Sequence, residues 1–168
     1  YYNALIAPKA SDSEIREGTP NGTGTRSGNG AVNILEVDFS SGGESLRVIG
    51  AGQAANIRIK VQARQKIENF TIGFLIKDRL GNDVFGSNTH HMSQNLGPLE
   101  NAGIQEINFG FPSLALGPGY YSVTLAAHAD SDHLAGSYDW WERALIFQVL
   151  PASGPHTIGV CHMPITCY

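Results

Sequence analysis

The chain has 168 residues, a formal net charge of −4 and 15% charged residues, below the ~25% usual for a soluble domain. That length fits one domain, which buries roughly 70% of its unfolded surface and needs no disulfide or metal staple. No basic stripe is present, which sets nucleic acid aside as a partner, and no apolar run approaches the ~20 residues of a spanning helix, so direct membrane insertion is not expected.

Residues 1–7 are apolar, are cut off by Pro8 and read as the tail of a preceding helix. Ser11-Asp12-Ser13-Glu14 matches a capping box and predicts a short helix ended by Gly18. Residues 19–30 are too rich in glycine and asparagine to predict regular structure. Residues 1–24 are therefore expected to be a linker and leading arm, and 25–168 the folded domain. The chain opens without Met and reads as part of a longer protein.

Strand signals fill the rest. In 31–39 the apolar positions change parity, from Val32 and Ile34 to Leu35, Val37 and Phe39, which predicts a bulge or a move between sheets. Gly42-Gly43 turns the chain into a strand over 46–49, and residues 50–52 turn it again. Ala55, Ile57, Ile59, Val61 and Ala63 alternate with polar residues, the pattern of a strand with one face in the core. Phe70, Ile72, Phe74 and Ile76 mark the next strand; a turn at 78–82 returns it through Val84 and Phe85 to a polar end at His90-His91. A long loop over 90–103 precedes a strand with Ile107, Phe109 and Phe111. After a turn at 116–119, Tyr121, Val123, Leu125 and Ala127 alternate; residues 130–141 read as a second polar loop; Leu145, Phe147 and Val149 give a late strand. Beyond a linker at 151–155, residues 157–163 are predicted to add a terminal strand, possible to exchange with a second copy. Short strands at this spacing predict an all-β fold, an antiparallel β-sandwich, with Ile57, Ile59, Val61, Phe70, Ile72, Phe74, Phe109, Val123, Leu125 and Phe147 in its core.

Chemistry-bearing residues are sparse. Cys161 and Cys167 read as free thiols, with a disulfide between them the alternative where geometry allows it, and with His162 they are too few for zinc. No nucleophile-elbow, HExxH or phosphate-loop motif is present, and no cofactor or metal is expected. Asp130, Asp132 and His133 can be written as an acid–base set, and Asp130 with Asp139 as a glycosidase pair, but a solvated polar loop explains them as well. Tyr138-Asp139-Trp140-Trp141 is more informative: extended, the two indoles face opposite ways, one into the core and one near the surface, although two core or edge aromatics explain them as well. An exposed indole offers a flat face to the C–H side of a sugar ring. The expected carbohydrate site comprises Asn88, His90, His91, Asp130, Asp132, His133, Tyr138, Asp139 and Trp140. An alternative site is a sheet face carrying Arg58, Lys60, Gln62, Thr124 and His128, suited to an anionic group.

An ordered set of motifs carries a resemblance. Residues 25–30 (TRSGNG), 76–89 (IKDRLGNDVFGSNT), 116–121 (LGPGYY) and Tyr138-Asp139 ahead of 144–149 resemble the C-terminal domain of the nucleotide-binding subunit of O-antigen polysaccharide ABC transporters, the Wzt type. The likeness runs from about Thr25 to the end, and residues 1–7 look like the last of an ATPase domain or its linker. The resemblance implies an immunoglobulin-like sandwich. It implies a non-catalytic module that binds the non-reducing end of a finished polysaccharide, on the cytoplasmic side of the inner membrane. It implies a homodimer, joined to the membrane transporter subunit through the parent protein. The competing expectations are a dimerisation or docking sandwich with no glycan binding, and a small lyase or hydrolase on the same fold.

Overall fold

The computed structural model describes residues 24–129 and 136–167, together with the backbone strand at 16–17. Among the described residues there are eleven strands: β1 (Arg16–Glu17), β2 (Thr25–Ser27), β3 (Val32–Ser41), β4 (Glu44–Ser45), β5 (Val48–Gly50), β6 (Ala55–Ala63), β7 (Thr71–Asp78), β8 (Asp83–Asn88), β9 (Ile104–Phe111), β10 (Gly119–His128) and β11 (Ser137–Leu150). No helix among them is long and apolar enough to cross a membrane.

The strands form two sheets. The first runs β1-β2-β11-β10-β7-β8 and the second β4-β3-β6-β9. Pairing is antiparallel except where β5 lies parallel to β11, Val48 opposite Gln148. The period-2 pattern of β6 is realised residue for residue, with Ala55, Ile57, Ile59, Val61 and Ala63 buried and the residues between them half-exposed. The sheets meet through aromatic contacts. Phe39 of β3 stacks on Phe147 of β11 at 4.5 Å between centroids, and Phe74 of β7 meets Phe109 of β9 at 4.8 Å. All ten residues expected in the core are buried. The fold is an immunoglobulin-like antiparallel β-sandwich.

The parity change in β3 is a bulge, a register shift between Ile34 and Glu36 opposite β6. Other expectations need correction. Residues 16–17 are not helical but form β1, with Arg16 opposite Arg26. Residues 25–27, in the stretch expected to be irregular, form β2, zipped to β11 through Ser27–Trp140 and Arg26–Trp141. In both places a neighbouring strand overrides a local signal. Residues 137–141 belong to a strand rather than a loop, since they pair with β10 from Ser137–His128 to Trp141–Leu125. The expected terminal strand is reduced to one bridge, Leu116 with Cys161, flanked by Gly117 N–H to Val160 O at 3.0 Å and His162 N–H to Ala115 O at 2.9 Å.

Candidate carbohydrate-binding site

The β7–β8 turn is organised by one carboxylate. Asp78 accepts from the backbone N–H groups of Leu80 and Asn82 at 2.8 and 2.9 Å and from the Asn82 side-chain amide at 2.9 Å. The Asn82 amide is the main reason its carboxyl lies below the ordinary 3.8. Gly81 takes φ +84° with open space around it, so the turn is set by backbone conformation rather than packing. This turn presents Arg79 to solvent.

Two strands away, β11 departs from regular pairing. Val123 of β10 faces Leu145, but Leu125 faces Trp141, so Glu142, Arg143 and Ala144 oppose Thr124 alone. Arg143 has φ 51°, in the left-handed region. A non-glycine residue there costs on the order of 1 kcal/mol or more, and bulges re-aim side chains beside functional sites. Both Glu142 and Arg143 are exposed.

Turn and bulge flank an open groove of about 420 Å³ on the outer face of the first sheet, lined also by Lys77, Ser122 and Ile146. Tyr120 stands at its rim, 56% exposed, while its neighbour Tyr121 points into the core. Glu142 is held by the Thr25 hydroxyl, which donates at 3.2 Å, and by the Trp140 indole N–H at 3.5 Å. The groove thus combines a flat aromatic ring with guanidinium, ammonium, carboxylate and hydroxyl groups. Those are the two things a sugar needs: an apolar surface for its C–H face and directional partners for its hydroxyls.

The residues singled out from sequence fall elsewhere. Asn88, His90, His91 and Tyr138 lie at the opposite end of the first sheet, because β7 begins and β8 ends where β10 ends and β11 begins. The register therefore brings the hairpin's polar end and the start of β11 to one edge of the sandwich, with β7 and β10 between them. Asn88 is buried and caps its own turn, its side-chain oxygen accepting from His91 N–H at 2.7 Å. His90 and His91 are exposed, their rings 6.2 Å apart. His90 borders a small concavity of about 180 Å³ with Asn69, Thr71 and Gln94. Tyr138 is half-buried, and burial raises its phenol above 10.0. Asp130, Asp132 and His133 lie outside the described residues.

Two members of the expected set are otherwise engaged. Asp139 is buried between the sheets and accepts from Arg26 Nε at 2.8 Å and from Ile34 N–H at 2.7 Å. It is a structural anchor, with no face left for a hydroxyl. Trp140 does point away from the core while Trp141 points in, but it is only 8% exposed and offers no open ring. It shares a cross-sheet row with Ala126, Gly73 and Asn88, where the small neighbours leave room for its bulk. The alternative face is also not a single surface. Arg58, Lys60 and Gln62 sit on β6 in the second sheet, whereas Thr124 and His128 sit on β10 in the first and are buried. Arg58 lies within 3.6–3.7 Å of Glu36, Asp38 and Glu106, a setting that repels an anion. Cys161 and Cys167 are exposed free thiols, and among the described residues no metal-ligating group of three or more occurs.

Sequence reasoning missed Arg79, Tyr120, Glu142, Arg143 and Ile146. One signal was present. Residues 139, 141, 145, 147 and 149 all face the core, so Arg143 is a charge on core parity, which only a bulge can move outward.

Comparison with known proteins places this fold. No curated protein sequence matches the chain. Among solved structures, the crystal structure of the C-terminal domain of Wzt matches with TM-score 0.77 at 19% identity, over 89% of this chain and 93% of that one. A Niemann-Pick type C2 protein from the Japanese carpenter ant matches with TM-score 0.52 at 9% identity, over 71% and 93% respectively. At these identities both likenesses speak for the sandwich fold. The sequence itself matches the model of the Wzt C-terminal domain over residues 23–163. The chain belongs to the Wzt C-terminal domain family, a binding rather than a catalytic domain with a general carbohydrate-binding role in polysaccharide export.

Proposed function

We propose that this domain recognises the non-reducing end of an O-antigen polysaccharide and so commits it to export by an ABC transporter, and that it does so in the groove between the β7–β8 turn and the β11 bulge. The observation that carries this reading is the convergence of the strained Arg143 bulge and the exposed Tyr120 ring on one concavity. An exposed tyrosine alone is ordinary; one beside a backbone conformation retained at a cost is the mark of a binding site. Tyr120 packs against the ring of the terminal sugar. Glu142, fixed by Thr25 and Trp140, is pre-oriented to accept from its hydroxyls, which lowers the entropy lost on binding.

Residues 1–24 serve as the arm that joins the sandwich to the ATPase part of a transporter subunit on the cytoplasmic face of the inner membrane. The pairing of β1 with β2 at the edge of the first sheet supports this arrangement. The domain acts as a homodimer. Its C-terminal segment carries Ile158, Met163 and Ile165 at 94%, 67% and 64% exposure, and its few backbone bonds to 115–117 can equally be made to a second copy.

A second reading puts the glycan at the His90, His91 and Tyr138 edge, favoured by the shared end of the sheet and the small concavity at His90. Calorimetric titration of the domain with polysaccharide that has intact or trimmed non-reducing ends separates these. End recognition predicts saturable binding lost on trimming, and Tyr120→Ala should lower affinity by on the order of 2 kcal/mol, about thirtyfold. Equal binding of intact and trimmed chains contradicts end recognition. A loss on His90→Ala with Tyr120→Ala unaffected moves the site to the other edge.

A further inference from the structure

We propose that the concavity bordered by His90, at the end of the first sheet away from the groove, is a second sugar subsite that takes a neutral internal unit of the polysaccharide. This goes beyond end recognition and rests on it, because the groove is what holds the terminus.

The walls of the concavity are set by backbone bonds. Phe70 pairs with Leu96 in an antiparallel bridge, its N–H donating to Leu96 O at 3.3 Å, and Ile67 and Leu99 exchange N–H to O bonds at 2.9 and 2.8 Å. Beside them, Gln94 N–H donates to Thr89 O at 2.8 Å and Ser93 N–H to His90 O at 2.9 Å. Asn69 and Asn95 flank the Phe70–Leu96 bridge, and Gln94 adjoins it. All three amide side chains are exposed and, among the described residues, make no hydrogen bond. The Thr71 hydroxyl makes none either, although Thr71 is only 3% exposed. A hydroxyl this buried needs a partner, and the concavity is the side from which one can come. A fixed backbone with uncommitted side chains keeps the ordering cost of binding low.

The lining selects the ligand. Asn69, Thr71, His90, Gln94 and Asn95 can each donate and accept, and no Lys, Arg, Asp or Glu joins them. Such a set matches the hydroxyls of an uncharged sugar in either sense, whereas the groove at the other end mixes charges of both signs. The volume of about 180 Å³ suits one ring rather than a run of them. Thr71 and Lys77 share parity on β7, so concavity and groove open on the same side of the sheet, about 20 Å apart at the rise of an extended strand. A polysaccharide spans that interval and a short fragment does not. Once the end is held, capture of the internal unit is intramolecular, so affinity rises with chain length while the groove contacts stay the same.

The test uses non-reducing-end fragments of O-antigen polysaccharide from the producing cells in two size classes, one too short for the span of about 20 Å and one several times longer. Calorimetry compares wild type with Gln94→Ala/Asn95→Ala, Thr71→Val and Tyr120→Ala, and thermal melts confirm folding. Wild type should bind the long fragments about 100-fold more tightly than the short ones, the low end of what linking two sites gives. Gln94→Ala/Asn95→Ala, which changes only exposed side chains, should lose most of that gain and bind short fragments as wild type does. Thr71→Val should show the same split; damage to the fold would weaken both classes instead. Tyr120→Ala should weaken both. Equal wild-type affinity for the two classes, or a length gain untouched in Gln94→Ala/Asn95→Ala, overturns the second subsite and leaves the groove in place, provided Tyr120→Ala still weakens short-fragment binding. Short-fragment binding unchanged in Tyr120→Ala overturns the groove reading, and the linkage with it.

Discussion

Arg26 of β2 and Asp139 of β11 face each other between the two sheets, Arg26 Nε donating to Asp139 Oδ1 at 2.8 Å and Nη2 donating to Oδ2. The pair also reaches β3. Arg26 Nη2 donates to Ile34 O, and Asp139 accepts from Ile34 N–H at 2.7 Å. The guanidinium lies 4.7 Å from the centroid of the Trp141 ring. Three strands from both sheets, β2, β11 and β3, are therefore tied together at one point. Asp139→Ala should cost about 3 kcal/mol, because it strands a largely buried cation and a buried backbone N–H. Urea unfolding measures this. A loss under about 1 kcal/mol would show that the tie is dispensable.

Phe74 tests the other half of the core. It touches Phe109 and Phe111 of the second sheet at 4.8 and 5.7 Å between centroids and is 2% exposed. Phe74→Ala should destabilise by about 3–5 kcal/mol, the range for a buried aromatic truncated to alanine. A value near zero would mean the sheets do not close over this residue.

The β7–β8 turn has a pH signature. The Asp78 carboxyl lies below its ordinary 3.8, mainly through the Asn82 side-chain amide. A lowered folded-state value means the folded chain binds fewer protons than the unfolded one. The turn's contribution is therefore complete above about pH 4 and is lost as pH falls through the lower folded value. The stability gap between wild type and Asp78→Ala should narrow in acid. A gap that is constant or widens below pH 3 contradicts the turn chemistry.

The proposed dimer is tested by length. A chain that ends at Leu150, the last residue of β11, lacks the segment that bonds to Ala115 and Gly117. Light scattering should find it monomeric at concentrations where the full chain is dimeric. A truncated chain that dimerises with unchanged affinity would place the contact elsewhere.

Legibility of the sequence follows from what sets each feature. Period-2 burial is a local consequence of strand geometry, so Ile57, Ile59 and Val61 could be placed by counting. The β3 bulge was visible because one extra residue flips parity between Ile34 and Val37. The β11 bulge adds two residues and preserves parity. The alternation from Trp141 to Leu145 thus passes through it, marked only by the charge of Arg143 on core parity, and the groove it shapes was not seen. Asp139 and Trp140 looked like site residues because aromatics and carboxylates suit sugars. Their burial is decided by Arg26, Ile34 and the β10 register, partners distant in sequence. Residues 16–17 show the same limit, as a capping-box signal yields to strand pairing with β2.

The location of the glycan site is the central claim, and amide chemical-shift mapping during titration with the O-antigen polysaccharide tests it most directly. The account predicts that shifts concentrate at residues 79–81, 120–124 and 142–146, the turn, strand and bulge that border the groove, and that they saturate with the calorimetric affinity. Saturating shifts confined to residues 88–95 and 137–139, at the far end of the same sheet, would contradict it.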